Sequence, residues 1–335
     1  MKPTLAKLAI KAALKANKAI FLWGSPGCGK SSIVAQVAQD MNAELSDVRA
    51  LLLEPVDLRG LPHIDKGITK WARPTFLPPT EQTGNSVLFL DELNAAEQSV
   101  QAACYQLILD RAVGEHKLPT GCGIIAAGNK ASDRAHVNRM PSALANRLVH
   151  IDIEPDMNDW VMWALNNTIR TELIAFMMFR PDALFCFDPR KDERAFASPR
   201  SWETVSRLLD ALPVTTAEEQ AVLTAMINGT VGEGMGTEFS AFLATYKDLP
   251  NPKQALVNPK TAKIPQTPAG LYAVCASLCH HVDPNTIDNF FEYIGRMGEE
   301  FQTLAVKLAT WKRDDICNSR SFIKWGTEHQ GAFIA

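Results

Sequence analysis

One octapeptide limits the folds open to this chain more than any other feature. Residues Gly24 to Ser31 read Gly-Ser-Pro-Gly-Cys-Gly-Lys-Ser. They match G-x-x-x-x-G-K-S/T, a loop whose glycines let consecutive backbone N–H groups curl around a β-phosphate. In that pattern Lys30 reaches the β- and γ-phosphates, and the Ser31 hydroxyl ligates Mg2+ at a helix N-terminus. The pattern carries weight only between a strand and a helix, and both are present. Ala19-Ile-Phe-Leu-Trp23 is a short apolar run of the buried parallel-strand type, and from Ser31 onward Ile33, Val34, Val37, Ala38 and Met41 recur at helical spacing. Gly24, Ser25, Pro26, Gly27, Cys28, Gly29, Lys30, Ser31 and Ser32 are therefore the candidate cradle for a nucleoside triphosphate, with ATP and Mg2+ as the expected ligands.

A second apolar run, Val87 to Leu90, ends in Asp91-Glu92. In phosphoryl-transfer sites built on such a loop, a carboxylate at the end of a neighbouring strand holds the metal. That assigns Asp91 to Mg2+ beside Ser31, and Glu92 to polarising the attacking water as general base. A third run, Gly123 to Ala127, ends in Gly128-Asn129, and the Asn129 amide can orient the same water from the opposite side. Ala95 to Asp110 reads as a helix, and Val149 to Ile153 as a further strand. Strands alternating with helices over residues 1–155 predict an α/β domain with a parallel sheet covered on both faces. After Pro155 the apolar residues follow helical spacing, from Trp160 to Phe179, Trp202 to Leu212 and Glu218 to Ile227, with no comparable β-rich run.

Composition excludes some classes. The 34 basic and 37 acidic side chains give a net charge of −3, which argues against a protein that coats nucleic acid mainly by charge. The longest stretch free of Asp, Glu, Lys and Arg, Ile264 to Val282, is interrupted by Pro265, Pro268, Gly270, His280 and His281, so no membrane span fits there. Seven cysteines without repeated spacing point to reduced thiols and a cytoplasmic setting. The lysine-rich first 18 residues lack Arg and run at once into a strand. They read as an amphipathic helix with Lys7, Lys11, Lys15 and Lys18 on its wet face.

The order GSPGCGKS, LFLDELN, IIAAGN, MPSALANR, SPRSW resembles an AAA+ ATPase, and specifically one of the MoxR family. EPVDLRGLP at 54–62 and the DELN helix segment at 91–113 carry the finer likeness. The resemblance covers about residues 5 to 210, with specific motifs up to Arg200. It implies an AAA+ α/β nucleotide-binding domain over 1–155, with a helix-2 insertion at 56–79 and a presensor-1 hairpin at 111–122. An α-helical lid over 156–248 would follow, then a Pro-rich extended connector over 249–268 and a helical extension over 269–335 with two last helices. Asn129 would be sensor 1, Arg147 the arginine finger that reaches a neighbouring subunit's γ-phosphate, and Arg200 the sensor 2 arginine of the lid. The sequence departs from the family at the finger, where Asn-Arg-Leu stands for Asp-Arg-Phe, and Arg139 is the alternative. A finger acting in trans implies a homo-oligomeric ring, of six subunits by resemblance. Such a motor remodels, activates or inserts a cofactor into a protein client, often with a von Willebrand factor A domain protein as partner. The other reading is a nucleic-acid-directed AAA+ ATPase of helicase or loader type, which the mild negative charge disfavours.

Three minor features have bland readings beside functional ones. Trp71, Arg73 and Phe76 either grip a client or pack the insertion. His116 and Lys117 read as hairpin-tip side chains in water. Cys275, Cys279 and His280 form the one candidate metal cluster, but with no second ligand pair in the sequence a buried helix face is favoured.

Overall fold

In the computed structural model, which describes residues 1–81, 85–133, 138–247 and 249–329, the chain divides into two units. One comprises Met1–Asp156 with Asp188–Lys191, the other Met157–Phe187 with Asp192–Ala335. Residues 248 and 330–335, at the ends of two expected segments, lie outside the described residues.

The first unit runs α1 (Pro3–Lys15), β1 (Ile20–Trp23), α2 (Lys30–Asp40), β2 (Glu44–Arg49), α3 (Pro55–Arg59), β3 (Pro62–Asp65), β4 (Ile68–Trp71), β5 (Ser86–Asp91), α4 (Gln98–Asp110), β6 (Ala112–Val113), β7 (His116–Lys117), β8 (Gly123–Gly128), α5 (Ser142–Ala145) and β9 (Val149–Asp152). Its main sheet is parallel, in the order β2-β5-β8-β1-β9. Period-two alternation sorts the strand side chains onto two cores. Phe21, Leu88, Leu90, Ile124 and Ala126 pack on one face with α4, while Ile20, Leu22, Val87, Phe89, Ile125 and Ala127 pack on the other with α1 and α2. β1 and β8 lie side by side, with Trp23 level with Gly128. The chain leaves β1 in one direction to reach β2 and returns to its other side as β9, so a crevice opens at the carboxyl ends of these strands, where ligands bind in open α/β sheets.

β2 does not stand out in the sequence, because it is an edge strand with only Val48 buried. The lysines of α1 also behave differently from expectation. Lys7 donates to Gln36 (2.8 Å) and Lys11 to Asp40 (2.7 Å), tying α1 to α2, while Leu8 is left 65% exposed. The long aliphatic stems let both ammonium groups reach across to the neighbouring helix.

The second unit runs α6 (Met157–Asn166), α7 (Thr171–Phe179), α8 (Pro199–Ala211), α9 (Ala217–Val231), α10 (Glu233–Lys247), α11 (Pro252–Val257), α12 (Pro268–His281), α13 (Ile287–Ile294), α14 (Glu299–Lys312) and α15 (Arg320–Glu328). One core serves it from Trp160 to Trp325, centred on Phe176, Trp202 and Phe239 and on the buried α12. α8 starts at a capping box in which Ser198 and Ser201 satisfy each other's backbone N–H, with Pro199 at the first helical position, where its missing donor costs nothing.

Two expectations about the end of the chain are corrected. The stretch 249–268 is not simply extended, since it holds α11, whose Pro252 opens the helix under an Asn251 cap and whose Ala255 and Leu256 are buried. It is docked on α13 through Asn289 to the Leu256 carbonyl and Tyr293 to the Lys263 carbonyl. Residues 269 to 329 form four helices rather than two. Among the described residues no helix is long and apolar enough to cross a membrane.

Candidate functional site

The loop after β1 turns sharply enough to require glycine. Gly29 caps α2 in the left-handed region at φ +97°, a conformation that a side chain disfavours. α2 begins with Lys30, whose ammonium donates to the carbonyls of Gly24 (2.6 Å) and Ser25 (3.3 Å) and to Asn129 Oδ1 (2.9 Å). The loop is thus folded around a cation aimed at its own centre, next to the end of β8.

Ser31 donates its hydroxyl to Asp91 Oδ2 at 2.9 Å, and Asp91 Oδ1 accepts the Glu92 N–H at 2.9 Å. Two oxygen ligands from different elements therefore meet, a hard donor set suited to Mg2+. Glu92 stands in the left-handed region at φ +56°. For a residue with a Cβ this costs about 1–3 kcal/mol, and such strain clusters at functional sites. Leu93 N–H then bonds the Ala127 carbonyl (3.0 Å), and Asn94 is buried with its Nδ2 on the Asn129 carbonyl (2.8 Å).

The structure thus brings Gly24 to Ser32, Asp91, Glu92 and Asn129 to the carboxyl ends of three adjacent strands. Arg147 is exposed on the turn after α5. Its guanidinium bonds the Ala143 carbonyl (2.9 Å) and lies 4.8 Å from the centre of the Tyr105 ring. Arg139 is exposed as well. Arg200 belongs to the other unit, exposed in the first turn of α8. Asn94 was not among the residues singled out from the sequence. Its linear signal is its place in the DELN segment, two residues past Glu92, a place to which the sequence alone assigns no role.

Beside the site, β3–β4 and β6–β7 are stitched together. Glu115 accepts the Trp71 N–H (3.0 Å), His116 bonds the Arg59 carbonyl (3.1 Å), and Arg73 donates to the carbonyls of Lys117 (3.1 Å) and Pro78. Arg59 stacks 4.0 Å over Trp71, and Phe76 packs on the core. Trp71, Arg73 and Phe76 therefore pack the insertion. His116 is 7% exposed, a correction to its expected place in water, since its ring is bonded to the Arg59 carbonyl at the end of α3. What the insertion leaves exposed includes Ile64 at 79% and Ile68 at 65%, together with His63, Lys66 and Lys70.

No group of three or more His, Cys, Asp and Glu side chains that could hold a metal ion occurs among the described residues. Cys275 and Cys279 are buried on α12, and burial pushes the Cys275 thiol up to about 12 and Cys279 up as well.

A five-stranded parallel sheet of this order, with a P-loop lysine, a hydroxyl–carboxylate pair and a strand-end Asp-Glu, is the AAA+ P-loop NTPase fold, and its loop and carboxylates suit ATP with Mg2+. Residues 19–148 match the family described as AAA domain (dynein-related subfamily). Midasin of Giardia intestinalis is 27% identical over 191 residues, covering 52% of this chain, and this chain spans 4% of that protein's length. Among solved structures, the chain is similar to the Thermotoga maritima RuvB Holliday junction branch migration motor (15% identity, 86% of this chain and 84% of that one, TM-score 0.38). It is also similar to Brucella abortus NtrX in complex with ADP (12% identity, 98% and 68%, TM-score 0.40). These structural likenesses are too distant to bear on partners.

Proposed function

We propose that the protein works as a ring-forming motor of the MoxR type, coupling ATP hydrolysis to remodelling, activation or cofactor insertion of a protein client. The observation that carries this reading is the insertion between β2 and β5, a hairpin braced by its neighbour and tipped by exposed Ile64 and Ile68. Two exposed isoleucines flanking a turn, with Lys66 between them and Lys70 paired to Asp65 (2.6 Å), suit a polypeptide better than a phosphate backbone.

In the hydrolysis, Lys30 exchanges its loop carbonyls and Asn129 Oδ1 for phosphate oxygens, to which its charge binds more strongly. Ser31 and Asp91 would hold Mg2+, which would supply neutralisation of the phosphate charge. Glu92 accepts the proton of the attacking water, and Asn129, released by Lys30, orients that water. Arg147, on the surface with only local partners, is the finger offered to an adjacent subunit, with Arg139 as the alternative, and Arg200 is the sensor 2 arginine. A finger used in trans leaves each protomer's site incomplete, which favours a closed ring, six-membered by resemblance. A von Willebrand factor A domain protein is the proposed partner. None of the seven cysteines is in a disulfide, which suits a reducing cytoplasmic setting.

The test is capture with Glu92→Gln protein held in its ATP state. A specific protein partner that also stimulates wild-type hydrolysis is expected. Strong, salt-sensitive stimulation by DNA or RNA, with none by protein, would replace this reading with the nucleic-acid-directed one.

A further inference from the structure

The turn after Glu92 holds a polar side chain for which packing gives no reason. Asn94 is 3% exposed, between α4 and the end of β8. Its Nδ2 donates to the Asn129 carbonyl at 2.8 Å, while its Oδ1 is buried and accepts no hydrogen bond among the described residues. An apolar side chain would avoid burying that lone acceptor, which destabilises a fold. The neighbouring strand also makes room for the amide. A Cβ on Gly128 would lie 1.9 Å from Asn94 Oδ1 and 2.8 Å from the Phe21 ring, so glycine is the residue that fits there.

We infer that Asn94 is a positioning residue for ATP hydrolysis and acts through Asn129, an inference that rests on the roles proposed above for Glu92 and Asn129. The 92–96 turn carries the base and is fixed to β8 by Leu93 N–H on the Ala127 carbonyl (3.0 Å). From this turn the Asn94 amide clamps the backbone of Asn129. The side chain of Asn129, whose Oδ1 accepts from Lys30 at 2.9 Å, therefore swings from a fixed pivot when Lys30 turns to phosphate. The distance between the base and the water-orienting amide is set by the Leu93 to Ala127 backbone bond together with one side-chain hydrogen bond joining positions 35 residues apart. The same turn also holds the segment that leads to Arg139 and Arg147. Asn138 N–H bonds the Asn94 carbonyl (2.7 Å), and Asn138 Nδ2 bonds the Ala96 carbonyl (2.9 Å). Three parts of the hydrolytic apparatus thus meet on five residues.

A double-mutant cycle on the full-length chain tests this, with steady-state ATPase rates and binding of a fluorescent ATP analogue with Mg2+ measured for Asn94→Ala, Asn129→Ala and the pair. The expectation is a fall in kcat of about tenfold for Asn94→Ala with nucleotide Kd within about twofold, and a double variant no slower than Asn129→Ala within about twofold. A wild-type kcat in Asn94→Ala overturns the proposal, as do losses that multiply in the pair or a weakened Kd that accounts for the whole effect. Should Asn94→Ala not fold, the near-isosteric Asn94→Asp, which lacks the donor, enters the same cycle with the same criteria. Glu92→Gln is measured alongside. Wild-type turnover in both Glu92→Gln and Asn129→Ala overturns the underlying reading together with this proposal. Loss in those two with independent behaviour of Asn94 overturns this proposal alone.

Discussion

The residues proposed to bind phosphate and the arginines proposed to stabilise charge are held in opposite ways. Lys30, Ser31, Asp91 and Asn129 are bonded across elements, from loop to helix and from strand to strand. Arg147 is bonded only to its own helix turn and one ring, and Arg200 sits exposed at the start of a helix in the other unit. A single protomer is therefore preorganised for binding and not for turnover. Geometry fixed in advance lowers the cost of capturing ligand. Groups parked on the surface add their charge only when something brings them to it.

Four measurements can break or sharpen that contrast. The largest expected effect is on Glu92→Gln, where kcat should fall by about 100-fold or more while ATP affinity stays near wild type, since only the proton acceptor is lost. Comparable turnover in the variant removes Glu92 from its role. Next, Lys30→Ala should weaken ATP binding by about 100-fold in equilibrium titration, because the charged donor to phosphate is gone. Arg147→Ala should be nearly inactive alone, yet mixing it with Lys30→Ala subunits should restore part of the rate, each supplying what the other lacks. No recovery at any ratio would place the finger elsewhere, with Arg139→Ala the next variant to mix.

The smallest effect concerns the second unit. Burial first, and then the charges of Lys312 and His281, hold His280 below its ordinary value near 6.5, with Glu172 opposing. Because the unfolded chain takes up the proton before the folded one, stability should be complete above about pH 6.5 and decline as pH falls below it. Thermal unfolding of His280→Gln should show a shallower decline than wild type. An equal slope would locate the pH sensitivity in other groups.

How much of this was legible in the sequence differs by residue for physical reasons. The P-loop and the Asp91-Glu92 pair were readable because phosphate and metal chemistry fix both residue type and spacing. The edge strand β2 was not, since one buried side chain in six leaves no alternation to detect. The four C-terminal helices were undercounted, because α12 is apolar nearly all round and its neighbours are short. The packing of Trp71, Arg73 and His116 was hidden because their partners lie 44, 44 and 57 residues away in sequence. Asn94 was hidden for the same reason, as its contacts reach residues 35 and 44 positions ahead.

The bracing of β3–β4 against β6–β7 also has a bearing on how such a chain can change over generations. The β6–β7 hairpin supplies the acceptors for Trp71 and Arg73, and the end of α3 supplies the Arg59 carbonyl for His116, so neither side can be lengthened, trimmed or exchanged with a relative's version by itself. Drift at Trp71 is constrained by Glu115, and drift at His116 by the backbone at Arg59. Under the proposed function, new client preferences are most readily acquired at the exposed tip around Ile64 and Ile68, away from the bonds across the seam.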